Sequence, residues 1–175
     1  MNVLATVPGI IDRARVWAYG DEVDTDALAP GLYMKSSPEE MARHCLETVD
    51  PGFVSNVRRG DIICAGRNFG MGSSREQAAQ SLVFHGIAAV LAPSFGGIFY
   101  RNAINHGLMA LVCTDAPEIA AGNHVSIDAI AGKLRDLDAN AEYPCEPMPP
   151  HLLAMLADGG LVTHLEKRFN QKDNS

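Results

Sequence analysis

The sequence predicts an α/β domain with a parallel part and an antiparallel part. Between Asp61 and Cys113, short apolar runs alternate with helical stretches in the order strand, helix, strand, helix, strand. Such alternation implies parallel pairing through right-handed crossovers. Glycines stand where each of these helices would end, at Gly86 and Gly107. Further on, His124 to Ile130 and Lys133 to Leu137 flank Ala131-Gly132, which reads as an antiparallel hairpin.

A chain of 175 residues suits one domain over 1–175, with a core from about Arg15 to Phe169 and a polar tail over 170–175. The first strand is Arg15 to Tyr19 (RVWAY), rich in β-formers. A polar turn, Gly20 to Asp26, follows. Ser37-Pro38-Glu39-Glu40 then opens a helix: Ser37 caps it, Pro38 fits the first helical position, and Glu40 completes a capping box. Met41, Cys45 and Leu46 form its apolar stripe, with Arg43 and His44 nearer solvent. Asp61 to Ala65 is a short strand. Ser73 and Glu76 form a second capping box, on a helix running to about His85. Ile87 to Ala92 is a buried strand, Ile98 to His106 a helix, and Leu108 to Cys113 another buried strand. Pro144 to Pro150 reads as a surface loop, Leu152 to Leu156 as a short helix, and Asn170 to Ser175 as a frayed tail.

A net charge of −7 argues against a nucleic-acid or membrane-surface binder, which would show a basic face. It leaves room for an anionic substrate held by a few arginines. Every apolar run is interrupted before the length of a membrane span. Met1 to Ile11 has no basic start or cleavage site and reads as mature chain. Cys45, Cys64, Cys113 and Cys145 contain no C-x-x-C pair and no zinc spacing. They read as free thiols of a reducing cytoplasm, and no cysteine set for an iron–sulfur cluster is visible.

The chemistry concentrates in Gly66 to Gln77, GRNFGMGSSREQ. Three glycines lead from a strand into a helix N-terminus, where backbone N–H groups are unpaired. Two hydroxyls and a guanidinium sit at the same point, which suits a carboxylate or a phosphate. A lone S-x-x-E would be a plain helix cap, but a cap needs neither the glycine run nor the serine pair. The segment lacks the G-K-[ST] ending of a phosphate loop. Within SFGGIFYRNAINHG, the pairs Arg101/Asn105 and Asn102/Asn105 can each share a helix face near a site, or form an ordinary polar face. Asp24-Thr25-Asp26 alone is compatible with turn chemistry.

Taken together, Asp24-Thr25-Asp26, Gly66-Arg67-Asn68-Phe69-Gly70, Gly72-Ser73-Ser74-Arg75-Glu76 and Ile98 to Asn105 resemble the swivel domain of the aconitase and isopropylmalate isomerase family, in its small-subunit form. The resemblance runs from about Arg15 to Cys113, and more loosely to Phe169. It implies a swivelling β/β/α three-layer domain with a central parallel sheet and a smaller antiparallel sheet. It implies a hydro-lyase that isomerises a 2- or 3-hydroxy diacid by dehydration and rehydration. 3-Isopropylmalate, in leucine biosynthesis, comes first; homocitrate, citramalate or dimethylmalate-type acids follow. It also implies a large partner subunit, in a heterodimer or heterotetramer, that carries a [4Fe-4S] cluster acting as Lewis acid on the leaving hydroxyl. This chain itself would hold no cofactor and no metal.

By the same resemblance Ser73 is the catalytic base, and Ser74, Arg75, Thr25 and Asp26 bind substrate. Tyr33, Met34 and Lys35 form the specificity loop, where Tyr33 and Met34 could meet an alkyl group and Lys35 an extra carboxylate. Arg67, Asn68, Arg101, Asn102 and Asn105 are further polar residues expected around the site. The sequence departs from the family pattern at Met71, where cysteine is common, and at Gly96-Gly97, where Ala-Arg is common. The reading from a different class is a non-catalytic module that holds a small anion on Gly72 to Arg75.

Overall fold

The computed structural model describes residues 7–173, so the N-terminal expectation lies largely outside the described residues. In chain order the elements are β1 (Ile10–Ala18), α1 (Thr25–Leu28), α2 (Pro38–Arg43), α3 (Phe53–Asn56), β2 (Ile62–Cys64), α4 (Glu76–Phe84), β3 (Ala89–Ala92), α5 (Gly97–Asn105), β4 (Met109–Val112), β5 (His124–Asp128), β6 (Lys133–Asp136), β7 (Ala141–Pro144), α6 (Pro150–Ala157) and α7 (Leu161–Asp173). Short 3₁₀ turns lie at Gly31–Tyr33 and Ala116–Glu118.

The strands follow the order β4-β3-β2-β1-β5-β6-β7. β1 to β4 pair in parallel, and β5, β6 and β7 pair antiparallel. β1 belongs to both parts. Its first half, Ile10 to Arg15, pairs with β5, and its second half, Val16 to Ala18, pairs with β2. A register shift between Ile11 and Ala14 interrupts the β5 pairing, as a bulge does when it re-aims a strand, and the change of partner follows between Arg15 and Val16.

Two apolar clusters divide the parallel strands by side-chain period. Ile63, Val90 and Ala110 point into one cluster with α1, α2, α4 and Phe53. Ile62, Cys64, Ala89, Leu91, Met109 and Leu111 point into the other, with Val125, Ile127 and Leu134 of the antiparallel strands. Successive residues of a strand face opposite ways, so a parallel strand buried on both sides reads as a continuous apolar run. The result is helices, parallel sheet and antiparallel sheet in three layers, as the resemblance implied.

Several element expectations are corrected. Ser37 does cap α2, accepting from Glu40 N at 3.2 Å, but the helix ends at Arg43, so Cys45 and Leu46 are buried from the turn after it. His44 is half-buried. α4 starts at Glu76 with Arg75 at the cap position and no side-chain capping bond, so the second capping box does not form. The Glu76 carboxylate meets His106 Nε2 at 2.7 Å instead, a tertiary contact that overrides the local S-x-x-E signal. β7 lies partly in the stretch read as a loop. The tail is helical in α7 through Asp173, with 174–175 outside the described residues.

Candidate active site

Three loops leave the C-terminal ends of β1, β2 and β3 and meet there, the usual place for a ligand on a parallel sheet. Backbone hydrogen bonds stitch the first two together: Glu22 N to Arg67 O at 2.7 Å, Gly70 N to Val23 O at 2.7 Å, and Thr25 N to Met71 O at 2.8 Å. The third joins through Phe69 N to Ser94 O at 3.1 Å and Gly96 N to Phe69 O at 2.8 Å. Phe69 is fully buried and packs edge-on against Phe99.

Gly70 is required twice over. Its φ is +77°, and a Cβ there would land inside the Phe99 ring. Glycine alone tolerates both. Gly66 has the second constraint only: a Cβ would collide with Asp21. The glycine run therefore lets the loop press against its neighbours while Ser73 and Ser74 stay exposed at its tip.

Arg75 is fixed beneath that tip. Its Nη1 donates to Asp26 Oδ1 at 2.6 Å and to the Ala29 carbonyl at 3.0 Å. Asp26 also accepts from Gly31 N at 2.9 Å. The Arg75 hydrogen bond, then that of Gly31, hold the Asp26 carboxyl below the usual carboxylate range. Among the described residues Nη2 and Nε of Arg75 carry no further hydrogen bond, so one edge of the fork is left for an anion. The uncapped N-terminus of α4 adds first-turn N–H groups beside it.

The other expected residues divide. Thr25 is buried at the start of α1, and a Cβ on Gly72 would sit 3.1 Å from its hydroxyl. Arg67 donates to Asp21 from its backbone N at 2.7 Å and from Nη2 at 3.3 Å, and these bonds, the backbone one first, lower the Asp21 pKa. Asn68, at φ +58°, takes the Ser94 hydroxyl in two hydrogen bonds. These two hold the loop's shape. Asn102 lies one turn before His106 on α5, the side that meets Glu76. Arg101 and Asn105 line a different groove, with Leu152 and Met155 of α6. Tyr33 turns inward and stacks on His44, whereas Met34 and Lys35 are exposed, and Leu32 is 85 % exposed.

Sequence reasoning missed Gly31, Ala29 O, His44 and the Glu76–His106 pair. Ala29 O and the Glu76–His106 pair are long-range partners with no local pattern, save that His106 precedes a helix-ending glycine. Gly31 lies close in sequence to Asp26, and His44 sits at helical spacing from Glu40 and Glu47, a local signal that was readable. Cys45, Cys64 and Cys113 are buried, and burial pushes the Cys64 thiol up to about 12. Among the described residues no three His, Cys, Asp or Glu side chains group as a metal site.

The model of the aconitase C-terminal domain matches residues 31–116, from the loop after α1 to the start of the 3₁₀ turn after β4. The methanogen homoaconitase small subunit of Methanothermobacter thermautotrophicus is 51 % identical, covering 93 % of this chain and 94 % of its own. The chain belongs to the aconitase family. Another family member, 3-isopropylmalate dehydratase small subunit 1 of Thermotoga maritima, is 44 % identical over 89 % of this chain and 95 % of its own. The crystal structure of 3-isopropylmalate dehydratase from Methanocaldococcus jannaschii superposes with a TM-score of 0.87 at 43 % identity, covering 95 % of this chain and 99 % of that one. The aconitase-family assignment makes the chain part of a hydro-lyase. No helix among its described residues is long and apolar enough to cross a membrane.

Proposed function

We propose that this chain is the small subunit of a dehydratase that isomerises 3-isopropylmalate, and that it works only with a large subunit bearing a [4Fe-4S] cluster. The observation that carries the reading is the placement of Ser73. It is exposed at the tip of a glycine loop, next to an arginine already neutralised on one edge by Asp26 and to an uncapped helix N-terminus. A serine is a weak base at its ordinary pKa. Positive potential from Arg75 and the α4 N-terminus stabilises its alkoxide, and does so far more strongly once water is excluded.

In this reading Ser73 takes a proton from the carbon beside a substrate carboxylate. Arg75 and Ser74 hold that carboxylate, while Asp26 fixes the guanidinium plane. Thr25, buried behind Gly72, supports the loop at the height of Ser73. Both serines are open to solvent in the isolated chain, which supports a partner that closes the site. In this reading the cluster belongs to that partner; Cys45, Cys64 and Cys113 of this chain are buried.

A specific observation favours a second reading, a homoaconitase-type small subunit. The relative at 51 % identity carries that name, and exposed Lys35 could take an extra carboxylate. Gly97 has open space where the family commonly has arginine, so Lys35 would be the added cation at the rim. Reconstitution with the cognate large subunit, followed by a screen of hydroxy diacids and triacids, tests both. Turnover of 3-isopropylmalate supports the first, and preference for homocitrate or homoaconitate the second. Tight anion binding by the complex with no turnover of any of them overturns both.

A further inference from the structure

The loop after α1 is anchored at two points. At one, Gly31 N donates to the Asp26 carboxylate that also holds Arg75. At the other, the Tyr33 ring lies face to face on the His44 imidazole, with centroids 3.6 Å apart and planes within 6°. Both nitrogens of His44 are engaged: Nδ1 meets Glu47 at 2.6 Å and Nε2 meets Glu40 at 3.3 Å. Carboxylates only accept, so both contacts are hydrogen bonds when the ring carries two protons. Glu47, with Glu40 behind it and burial opposing, raises the His44 pKa in that direction. Held at opposite nitrogens, the ring has one plane available, and that plane is the one Tyr33 covers. Glu40 is itself tied to Arg43 at 2.8 Å, on a helix capped by Ser37.

Between the anchors the chain makes a tight turn, with Tyr33 N donating to Pro30 O, Met34 N to Gly31 O and Ser36 N to Tyr33 O. Leu32, Met34 and Lys35 are left exposed on it. Tyr33 is thus withdrawn as a contact, and its neighbours are presented.

We infer that His44 is a positioning residue for substrate discrimination: its two-carboxylate clamp, acting through the stack on Tyr33, fixes the loop that sets Leu32, Met34 and Lys35 against the variable group of the substrate. The inference rests on the reading of this loop as the specificity loop. His44 touches none of Ser73, Ser74, Arg75 and Asp26 in any hydrogen bond, so the proton-transfer machinery stays in place when His44 is changed.

The test uses the reconstituted complex with 3-isopropylmalate and homocitrate as paired substrates. His44→Ala is expected to keep kcat on the better substrate within about threefold and to shrink the ratio of the two kcat/KM values by about tenfold, the scale of one misplaced pocket contact. His44→Phe, which keeps a flat ring without the carboxylate anchors, is expected to fall between. Glu47→Gln loosens one anchor and gives the same comparison if His44→Ala fails to assemble. A Met34/Lys35 double substitution is the control for the loop itself. If that control changes the ratio and the His44 and Glu47 variants do not, His44 is a packing residue and the inference is overturned. If the control also leaves the ratio unchanged, the specificity-loop reading falls first and takes the inference with it.

Discussion

Ser73 lies outside the helix that its S-x-x-E pattern would have it cap, and this separates two effects that one substitution would otherwise mix. An N-cap serine changed to alanine costs roughly 1 kcal/mol. Here Arg75 is at the cap position and makes no side-chain capping bond, so no cap is lost. Ser73→Ala is therefore expected to leave thermal stability within about 0.5 kcal/mol of wild type, as for an exposed residue, while the reconstituted complex loses turnover and still binds substrate. A loss near 1 kcal/mol by calorimetry would restore the capping role, and retained turnover would move the base to Ser74. Gly70 is the opposite case. Alanine there meets both the +77° φ and the Phe99 ring, and the expected cost is on the order of 3 kcal/mol, read from denaturant midpoints. The two residues also show what the sequence displays. The run of glycines and hydroxyls was legible because close approach leaves a compositional trace. The diversion of Glu76 to His106 was not, because 30 positions separate the partners.

At the scale of elements, the mouth of β2 is held by a carboxylate that the sequence did not single out. Asp61 is 5 % exposed and accepts from Arg15 Nη2 at 2.6 Å, Trp17 Nε1 at 2.9 Å and Arg58 N at 2.9 Å. Burial raises its pKa, and the hydrogen bonds from Arg15, Trp17 and Arg58 outweigh burial, so the net direction is down. A depressed folded pKa means the stabilisation is complete above the unfolded carboxyl value near about 3.9 and is lost as pH falls through the folded value. Asp61→Asn is expected to cost about 2 kcal/mol at neutral pH, toward the low end for a buried pair because Arg15 is partly exposed. Its melting temperature should fall less steeply below pH ~4 than that of wild type. Parallel acid limbs in the two proteins would show that Asp61 does not titrate with folding. Elements like β2 to β4 were legible because two-sided burial writes a continuous apolar run. β7 was not: Ala141-Glu142-Tyr143-Pro144 is short and sits at the sheet edge, where proline is tolerated. α7 was missed because charged residues fill much of it and its apolar Val162, Leu165 and Phe169 stay exposed.

For the whole molecule, the parallel and antiparallel parts could be read separately from their periodicities, but their union through one strand could not. β1 is a nine-residue strand whose halves serve different neighbours, the change of partner falling between Arg15 and Val16 after a register shift at Ile11 and Ala14. That union stacks the antiparallel strands on the parallel ones and buries apolar side chains on both faces of the parallel sheet. Stability then comes from packing on both faces of the parallel sheet. Cys45 and Cys64 lie inside these layers, where burial raises the thiol pKa and keeps it protonated, the form that does not ligate iron. The chain purified without its partner is accordingly expected to be folded, to show the same melting temperature with and without a chelator, and to gain no iron–sulfur absorption on treatment with iron and sulfide. It is also expected to be inactive alone, because Ser73 and Ser74 face bulk water there, which hydrates and weakens any alkoxide. Activity should then appear on adding the large subunit, in proportion to complex formed. A cluster band on the isolated chain, or turnover without a partner, would show that this fold completes its own site.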